Sequence, residues 1–290
     1  MATDTRKTVL ITGCSEKSIG DALAREFFAR GFRVFATSRS LKTMESLEKD
    51  GIETIKLDIT DDDDVSRVAN EISKRTGGTL DILVNNAGVG YSSSVADADM
   101  KKVRQLFDIN VIGHYAVTRA FIPLLIEADR GTILFTSSIA SILYMPYNRA
   151  YGASKAAINA LADTLRVELA PFGVKVVSLV TGMIVSNLAP RLNFDEVFPE
   201  SSIYKPVEHS FRDVFARGTK GSTPTHVYAK AVVDEALKKS PAPWFWTGAL
   251  SYLAWFLSVF AWRGGLDGIV SKQYGLNKLA DIVRAQKRGC

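Results

Sequence analysis

Six short apolar runs, each followed by a stretch of helical length, constrain this chain more than any other feature. The runs are Thr8–Thr12, Arg33–Thr37, Thr54–Leu57, Leu80–Val84, Gly131–Thr136 and Lys175–Val180. They are rich in β-branched residues and read as strands buried on both faces. Helical spacing fills the intervals at Ile19–Arg30, Leu41–Asp50, Asp62–Thr76, Met100–Ala128 and Tyr151–Ala170, and recurs at His226–Lys239. Gly31 and Gly51 stop two of these helices, the acidic start of Asp62–Thr76 suits a helix N-terminus, and a bend is expected at Pro123. Strands that alternate with helices of ten or more residues imply a parallel sheet covered on both faces. The expected class is α/β, a doubly wound (Rossmann) sheet.

A chain of 290 residues, 47% hydrophobic, can bury one such core. Its net charge of +5 is spread along the sequence, which argues against a nucleic-acid stripe and suits an anionic cofactor. Three histidines and two cysteines, all scattered, form no metal-ligand spacing. Cys14 and Cys290 do not make a disulfide framework and point to a reducing compartment. Met1–Lys7 is polar and charged, without the apolar core of a secretory leader.

Ligands of such a sheet bind at the carboxyl ends of the strands. Gly13 follows the first strand and Gly20 opens the first helix, so backbone N–H groups there can hold a pyrophosphate. The middle glycine of a dinucleotide loop is absent. Cys14 to Ile19 stand between the two, and Ser15 and Ser18 can offer hydroxyls to phosphate. An NAD site places an acid after the second strand. Here the residues are Thr37-Ser38-Arg39, so Arg39, with Lys17 from the loop, favours the 2′-phosphate of NADP(H). Asp58 after the third strand suits either an adenine amino group or a helix N-cap. Asn85-Asn86-Ala87-Gly88 after the fourth is small enough to approach a ribose and polar enough to tie strand ends together. Tyr151 and Lys155 share one helix face, and Ser138 precedes them by thirteen residues. A tyrosine beside a fixed ammonium can protonate a carbonyl oxygen, and Lys155 is expected to lower the pKa of Tyr151.

Thr12-Gly13…Ile19-Gly20, Asn85-Asn86-Ala87-Gly88, Asn110-Val111-Ile112-Gly113, Ser137-Ser138 and Tyr151-Gly152-Ala153-Ser154-Lys155 occur in one order and spacing. As a set, covering roughly residues 6–240, they resemble the short-chain dehydrogenase/reductase family. The resemblance implies a nicotinamide cofactor and a tetrad of Asn110, Ser138, Tyr151 and Lys155. Tyr151 would be the acid, Ser138 would orient the carbonyl, Lys155 would hold the ribose, and Asn110 would bind a relay water. It also implies cofactor contacts at Ile59, Asn85, Ala87, Gly88, Val180, Gly182, Ile184 and Ser186, and a homodimer or homotetramer built through the two long helices. The chain departs from the family pattern in its longer first loop and in Thr181-Gly182, where the family has Pro-Gly. Thr181 is expected to loosen that backbone. Thr-Gly-Cys-Ser and the apolar C-terminal extension further resemble fungal acyl-dihydroxyacetone-phosphate reductases and their relatives in secondary metabolism. That implies NADPH reduction of a ketone on a lipid-like substrate.

No charge occurs between Ser240 and Trp262, and all four tryptophans (244, 246, 255, 262) fall there. With Pro241 and Pro243 keeping the start extended, a helix is expected over about 246–262, roughly 25 Å long. A bilayer core needs about 30 Å. An interfacial membrane helix is therefore favoured over a lid or subunit contact, and a span comes last. The expected division is a catalytic domain over 1–240, with an apolar substrate lid at about 187–225, and a helical extension over 241–290. The combined expectation is an NADPH-dependent carbonyl reductase for a small hydrophobic carbonyl substrate, on the cytoplasmic side of an endoplasmic-reticulum or lipid-droplet membrane. The competing readings are NADP-dependent alcohol oxidation and a non-catalytic membrane-associated binding protein on the same fold.

Overall fold

A computed structural model describes residues 5–187, 194–262 and 264–288, the side chain of Thr219 excepted. In chain order the elements are β1 (Thr8–Thr12), α1 (Ile19–Ala29), β2 (Arg33–Ser38), α2 (Glu45–Lys49), β3 (Glu53–Lys56), α3 (Asp62–Thr76), β4 (Ile82–Asn85), α4 (Met100–Phe107) and α5 (Gly113–Ile126). Then come β5 (Thr132–Thr136), α6 (Arg149–Glu168), β6 (Lys175–Thr181), β7 (Ile184–Val185), α7 (Phe194–Val197), α8 (Glu208–Lys220), β8 (Thr223–Pro224) and α9 (Thr225–Ala236). The chain closes with β9 (Trp244–Thr247), α10 (Ser251–Phe260), α11 (Asp267–Gln273) and α12 (Leu276–Arg288).

The main sheet has seven parallel strands in the order β3-β2-β1-β4-β5-β6-β9. Alternate residues of one strand feed opposite cores. Val9 and Ile11 pack with Leu23 and Phe27 of α1 and Tyr228 and Val232 of α9. Leu10 packs with Val68 of α3, Phe121 of α5 and Ile158 of α6. Both faces are thus covered, which is why the strands carry continuous apolar runs. The strand order reverses between β1 and β4, and a cleft opens at their carboxyl ends.

Three expectations are corrected. The helix read as Met100–Ala128 is interrupted at a π-helical turn over Asp108–Ile112, not at Pro123, which lies inside α5. The wide turn lets Gly113 sit against Ile59, where a Cβ would fall 2.8 Å from Cγ1. The helix read over 246–262 begins later. Trp244–Thr247 pairs with Ser178–Thr181 as an edge strand, because aromatic and β-branched residues after Pro241 and Pro243 fit a pleat better than a helix. The sheet therefore reaches past residue 240. The remaining helix, Ser251–Phe260, is about 15 Å long, half what a bilayer core needs. Of the apolar lid expected at 187–225, Leu188 and Leu192 lie outside the described residues. The rest carries α7, α8 and β8.

Where β6 leaves the sheet, a Cβ on Gly182 would lie 2.1 Å from the Ala249 carbonyl oxygen, with backbone on both sides. Gly182→Ala is expected to destabilise the fold by about 1–3 kcal/mol, read as a lower urea midpoint. Gly90→Ala, whose Cβ would meet nothing within 4 Å, should leave that midpoint in place.

Candidate active site

The cleft at the strand ends measures about 630 Å³. Its first wall is the loop between β1 and α1. Gly13 has φ +77°, and a Cβ there would sit 2.7 Å from the Ala87 Cα. The loop after β4 is held against it by side chains. Asn86 N and Ala87 N donate to the Thr12 hydroxyl at 2.9 and 3.0 Å, and Asn86 Nδ2 donates to Thr12 O at 2.8 Å. Gly20 does not line the cleft; a Cβ there would fall 2.4 Å from Gly13 O, so it seats α1 against the loop. Ser18 caps α1 by accepting from Asp21 N at 3.1 Å, and its hydroxyl donates to Gly13 O. The extra loop residue is absorbed by Lys17, which takes a left-handed φ of +62°.

Lys17 is not a wall of the cleft. Its side chain is 83% exposed and faces Glu16 at 3.9 Å. Arg39 does line the cleft, and beside it lies a hydroxyl cluster that sequence reasoning missed. Ser38 Oγ is 3.2 Å from Ser15 Oγ and 3.0 Å from Thr43 Oγ1. Hydroxyls are common in sequence, and only the fold brings Ser15 of the first loop beside Ser38 at the end of β2 and Thr43 just after it. Ile19, Asp58, Ile59, Ala87, Gly88, Gly182, Ile184 and Ser186 all border the cleft. Asp58 is not a helix cap: Asp61 caps α3, while Asp58 Oδ1 accepts from Thr60 N and Oγ1 at 3.0 and 2.7 Å. Asn85 and Val180 point elsewhere. Asn85 Nδ2 donates to the Thr118 hydroxyl at 2.9 Å, and Val180 packs with Ile139 and Ala254.

The tetrad gathers at the middle of the cleft. Lys155 is buried and donates to Thr136 O at 2.8 Å, and burial lowers its pKa to about 8. Tyr151 is half-buried, and Ser138 acts to lower its pKa. Burial nevertheless raises the Tyr151 pKa, against the expected lowering. The reason is geometric: the Lys155 ammonium lies 5.8 Å from the ring centroid and is turned onto Thr136 O. Ser138 is itself fixed, since its oxygen accepts from Ala140 N at 3.1 Å. Asn110 does not present its side chain to the cleft. Its Oδ1 accepts from Val89 N and its Nδ2 donates to Val89 O, both at 2.9 Å, and also to the Ser154 hydroxyl at 3.1 Å. The Asn110 side chain therefore holds the Val89 loop. Thr181 is not loose either. Its hydroxyl sits 2.8 Å from that of Tyr228 on α9.

Sequence reasoning also passed over His114, one turn beyond Asn110. It is fully buried, and Nε2 lies 2.6 Å from Ala87 O, so Nε2 carries the proton and donates. Burial, with the Lys155 charge adding to it, lowers its pKa to about 3. Its Nδ1 finds no partner among the described residues. At neutral pH the imidazole is an uncharged strut beneath the Ala87 turn. Farther out the cleft is lined by Tyr91, Ile139, Met145, Asn148, Met183 and Phe215, an apolar and uncharged set.

Comparison with known proteins agrees with this geometry. The family model described as short chain dehydrogenase matches residues 7–196. A short-chain dehydrogenase of Neurospora crassa, srdE, is 38% identical over 281 residues, covering 97% of this chain and 96% of that one. The NADPH-dependent 1-acyldihydroxyacetone phosphate reductase of Schizosaccharomyces pombe is 44% identical over 206 residues, 70% of this chain and 69% of that one. The crystal structure of a short-chain dehydrogenase from Streptomyces avermitilis superposes with a TM-score of 0.76 at 26% identity, covering 97% and 98% of the two chains.

The buried His114 makes stability depend on pH. In the unfolded chain it titrates near 6.5 and in the fold near 3. The unfolded state therefore binds the extra proton as pH falls through that window, and stability is lost there. Between neutral pH and about pH 5 the loss from this group is about 2 kcal/mol. His114→Gln keeps a donor for Ala87 O and should lack that component. Urea midpoints of both proteins at the two pH values check it.

Proposed function

Because the chain belongs to the short-chain dehydrogenase family, we propose that it is an NADPH-dependent carbonyl reductase acting on a hydrophobic ketone. The observation that carries the reading is the joint placement of Ser138, Tyr151 and Lys155 on one cleft whose other end holds Arg39 and a hydroxyl cluster. Family members are oxidoreductases on CH–OH and C=O groups that use nicotinamide cofactors. The residues present fit such a group: Gly13, Ser15, Ser18 and Ile19 line the cleft where α1 begins, beside Ser38 and Arg39. In this reading Gly13, Ser15, Ser18 and Ile19 hold the pyrophosphate at the α1 N-terminus. Asp58 and Ile59 border the adenine, and Arg39, Ser38 and Ser15 take the 2′-phosphate. Bound there, the nicotinamide supplies hydride to the carbonyl carbon.

The chain's own residues manage the proton. Ser138, with its oxygen pinned by Ala140 N, stands with Tyr151 on the cleft wall and orients the carbonyl oxygen there. A phenol whose pKa is raised by burial is protonated at neutral pH, the form that reduction consumes. Lys155, charged below about pH 8, keeps a positive charge near the oxygen that gains negative charge. Asn110 and His114 fix the loop from Ala87 to Val89 under the cofactor. The relative from Schizosaccharomyces pombe is named for NADPH and an acyl-bearing ketone, which supports both halves of the reading. The apolar outer cleft, with Met145, Met183 and Phe215, supports a hydrophobic substrate.

Two finer points belong to the same reading. Exposed Ile112, Tyr115 and Val167 along the long helices support a homodimer or homotetramer. Exposed Tyr252, Leu253, Phe256 and Phe260 on α10, followed by Trp262, support contact with a membrane surface on the cytoplasmic side, at the endoplasmic reticulum or a lipid droplet. Trp244 and Trp246 do not share in that contact, being half-buried in β9 against α6 and the sheet.

Tyr151→Phe should abolish NADPH-dependent ketone reduction while leaving NADPH binding intact, checked by loss of absorbance decay and by fluorescence titration. Arg39→Ala should weaken NADPH binding by roughly ten- to a hundredfold, the loss of charge-assisted hydrogen bonds, and leave NADH affinity unchanged. Lys17→Ala should change neither. Equal losses for both cofactors in Arg39→Ala would overturn the 2′-phosphate assignment.

A further inference from the structure

Tyr147 lies four residues before Tyr151 and is held in a conformation its own chemistry opposes. Its φ is +64°, in the left-handed region that a non-glycine residue enters at a cost of roughly 1–2 kcal/mol. Its side chain is buried, and its hydroxyl finds no partner among the described residues. Strain of this kind persists only where the surroundings over-determine it. Those surroundings are aromatic. Ring centroids of Phe198, Tyr204 and Phe211 lie 4.8, 5.4 and 5.5 Å away, and that of Tyr274 at 6.1 Å. Phe198, Tyr204 and Phe211 belong to the lid, while Tyr274 sits at the junction of α11 and α12. One ring therefore joins the loop before the catalytic helix, the lid and the C-terminal segment.

Two further contacts tie the same three parts. Leu266 N donates to the Tyr144 hydroxyl at 3.2 Å. Gly275, at φ +72°, approaches α8 so closely that a Cβ would fall 2.6 Å from the Ser210 hydroxyl oxygen. The joined parts also build the outer cleft, since Met145 and Asn148 flank Tyr147 and Phe215 lies on α8.

We propose that Tyr147 and Tyr274 form a clasp through which the C-terminal segment sets the shape of the substrate end of the cleft. Neither residue lines the cleft. They are positioning residues, acting through Met145, Asn148 and Phe215. The substrate end is identified by the ketoreductase reading, on which the proposal rests in that respect; the clasp itself is a matter of packing. The cluster works by apolar contact of ring edges, so the Tyr274 ring matters and its hydroxyl does not.

The test compares full-length wild type, Tyr274→Ala and Tyr274→Phe by amide hydrogen exchange, alongside NADPH titration. Tyr274→Ala should speed exchange at least about tenfold in residues 142–148 and 194–218, Tyr274→Phe should restore the wild-type rate, and NADPH affinity should be equal in all three. Exchange that quickens only within 264–288, or a Tyr274→Phe protein as loose as Tyr274→Ala, would overturn the clasp. Val270→Ala, which trims the same cluster, decides the matter in the same way if Tyr274→Ala fails to fold. A wild type that does not bind NADPH would overturn the cofactor reading alone, because exchange reads the clasp without cofactor.

Discussion

The seam between Thr12-Gly13 and Asn86-Ala87 governs the rest of this molecule. β1 and β4 are neighbours at the point where the strand order reverses, so the loops that follow them part in opposite directions. They separate cleanly only if their first residues are locked together. The Thr12 hydroxyl accepts two backbone N–H groups from the far loop, and the Asn86 amide returns a hydrogen bond to Thr12 O. Gly13 is then pressed onto the Ala87 backbone with no room for a Cβ. With that seam closed, the N-terminus of α1 and the turn at Gly88 face the same space, and a cleft exists. The middle glycine of a dinucleotide loop becomes dispensable. Lys17 supplies the left-handed turn and Ser18 the cap, at the modest cost of one strained residue.

The electrostatics of the site follow from burial. Lys155, Tyr151 and His114 are packed close around the Ala87–Val89 loop, and each is shifted toward its neutral form. A second cation beside Lys155 would be costly there. His114 avoids this by staying uncharged and spending its proton on Ala87 O. Lys155 stays a cation at neutral pH, because burial lowers its pKa only to about 8, and it donates to Thr136 O. Among the described residues that line this part of the cleft, Lys155 supplies the positive charge. Arg39 lines the far end of the same cleft, beyond the Gly13 loop, and in the proposed reading the two cations meet different parts of one anionic ligand.

The outer cleft is built differently. Aromatic rings of the lid and the C-terminal segment converge on Tyr147, and their contact replaces the backbone ladder that orders the inner site. Packing of this kind is tolerant of sequence change provided volume is kept. One sheet framework can thus carry different substrate ends while its cofactor end stays constant.

The strands, the two glycines that open the cofactor loop, and the Ser138, Tyr151 and Lys155 constellation were all legible in the residues alone. Each depends on short-range rules: apolar runs bounded by turns, a helix face, a spacing. β9 was not legible, because four residues of Trp, Phe, Trp and Thr look helical or membrane-seeking until β6 is there to pair with them. The π-helical turn at Asn110 needed Ile59 beside Gly113, and the secure Thr181 needed Tyr228 from a helix some fifty residues later. Lys17 and Arg39 are indistinguishable cations in sequence, and only the fold turns one to solvent and the other to the cleft. Sequence by itself determined the fold class, the strand ends and the grouping of Ser138, Tyr151 and Lys155, since periodicity and local spacing are carried by neighbouring residues. Tertiary structure alone decided which cation, which hydroxyls and which aromatic rings share a surface, because such contacts join residues far apart in the chain.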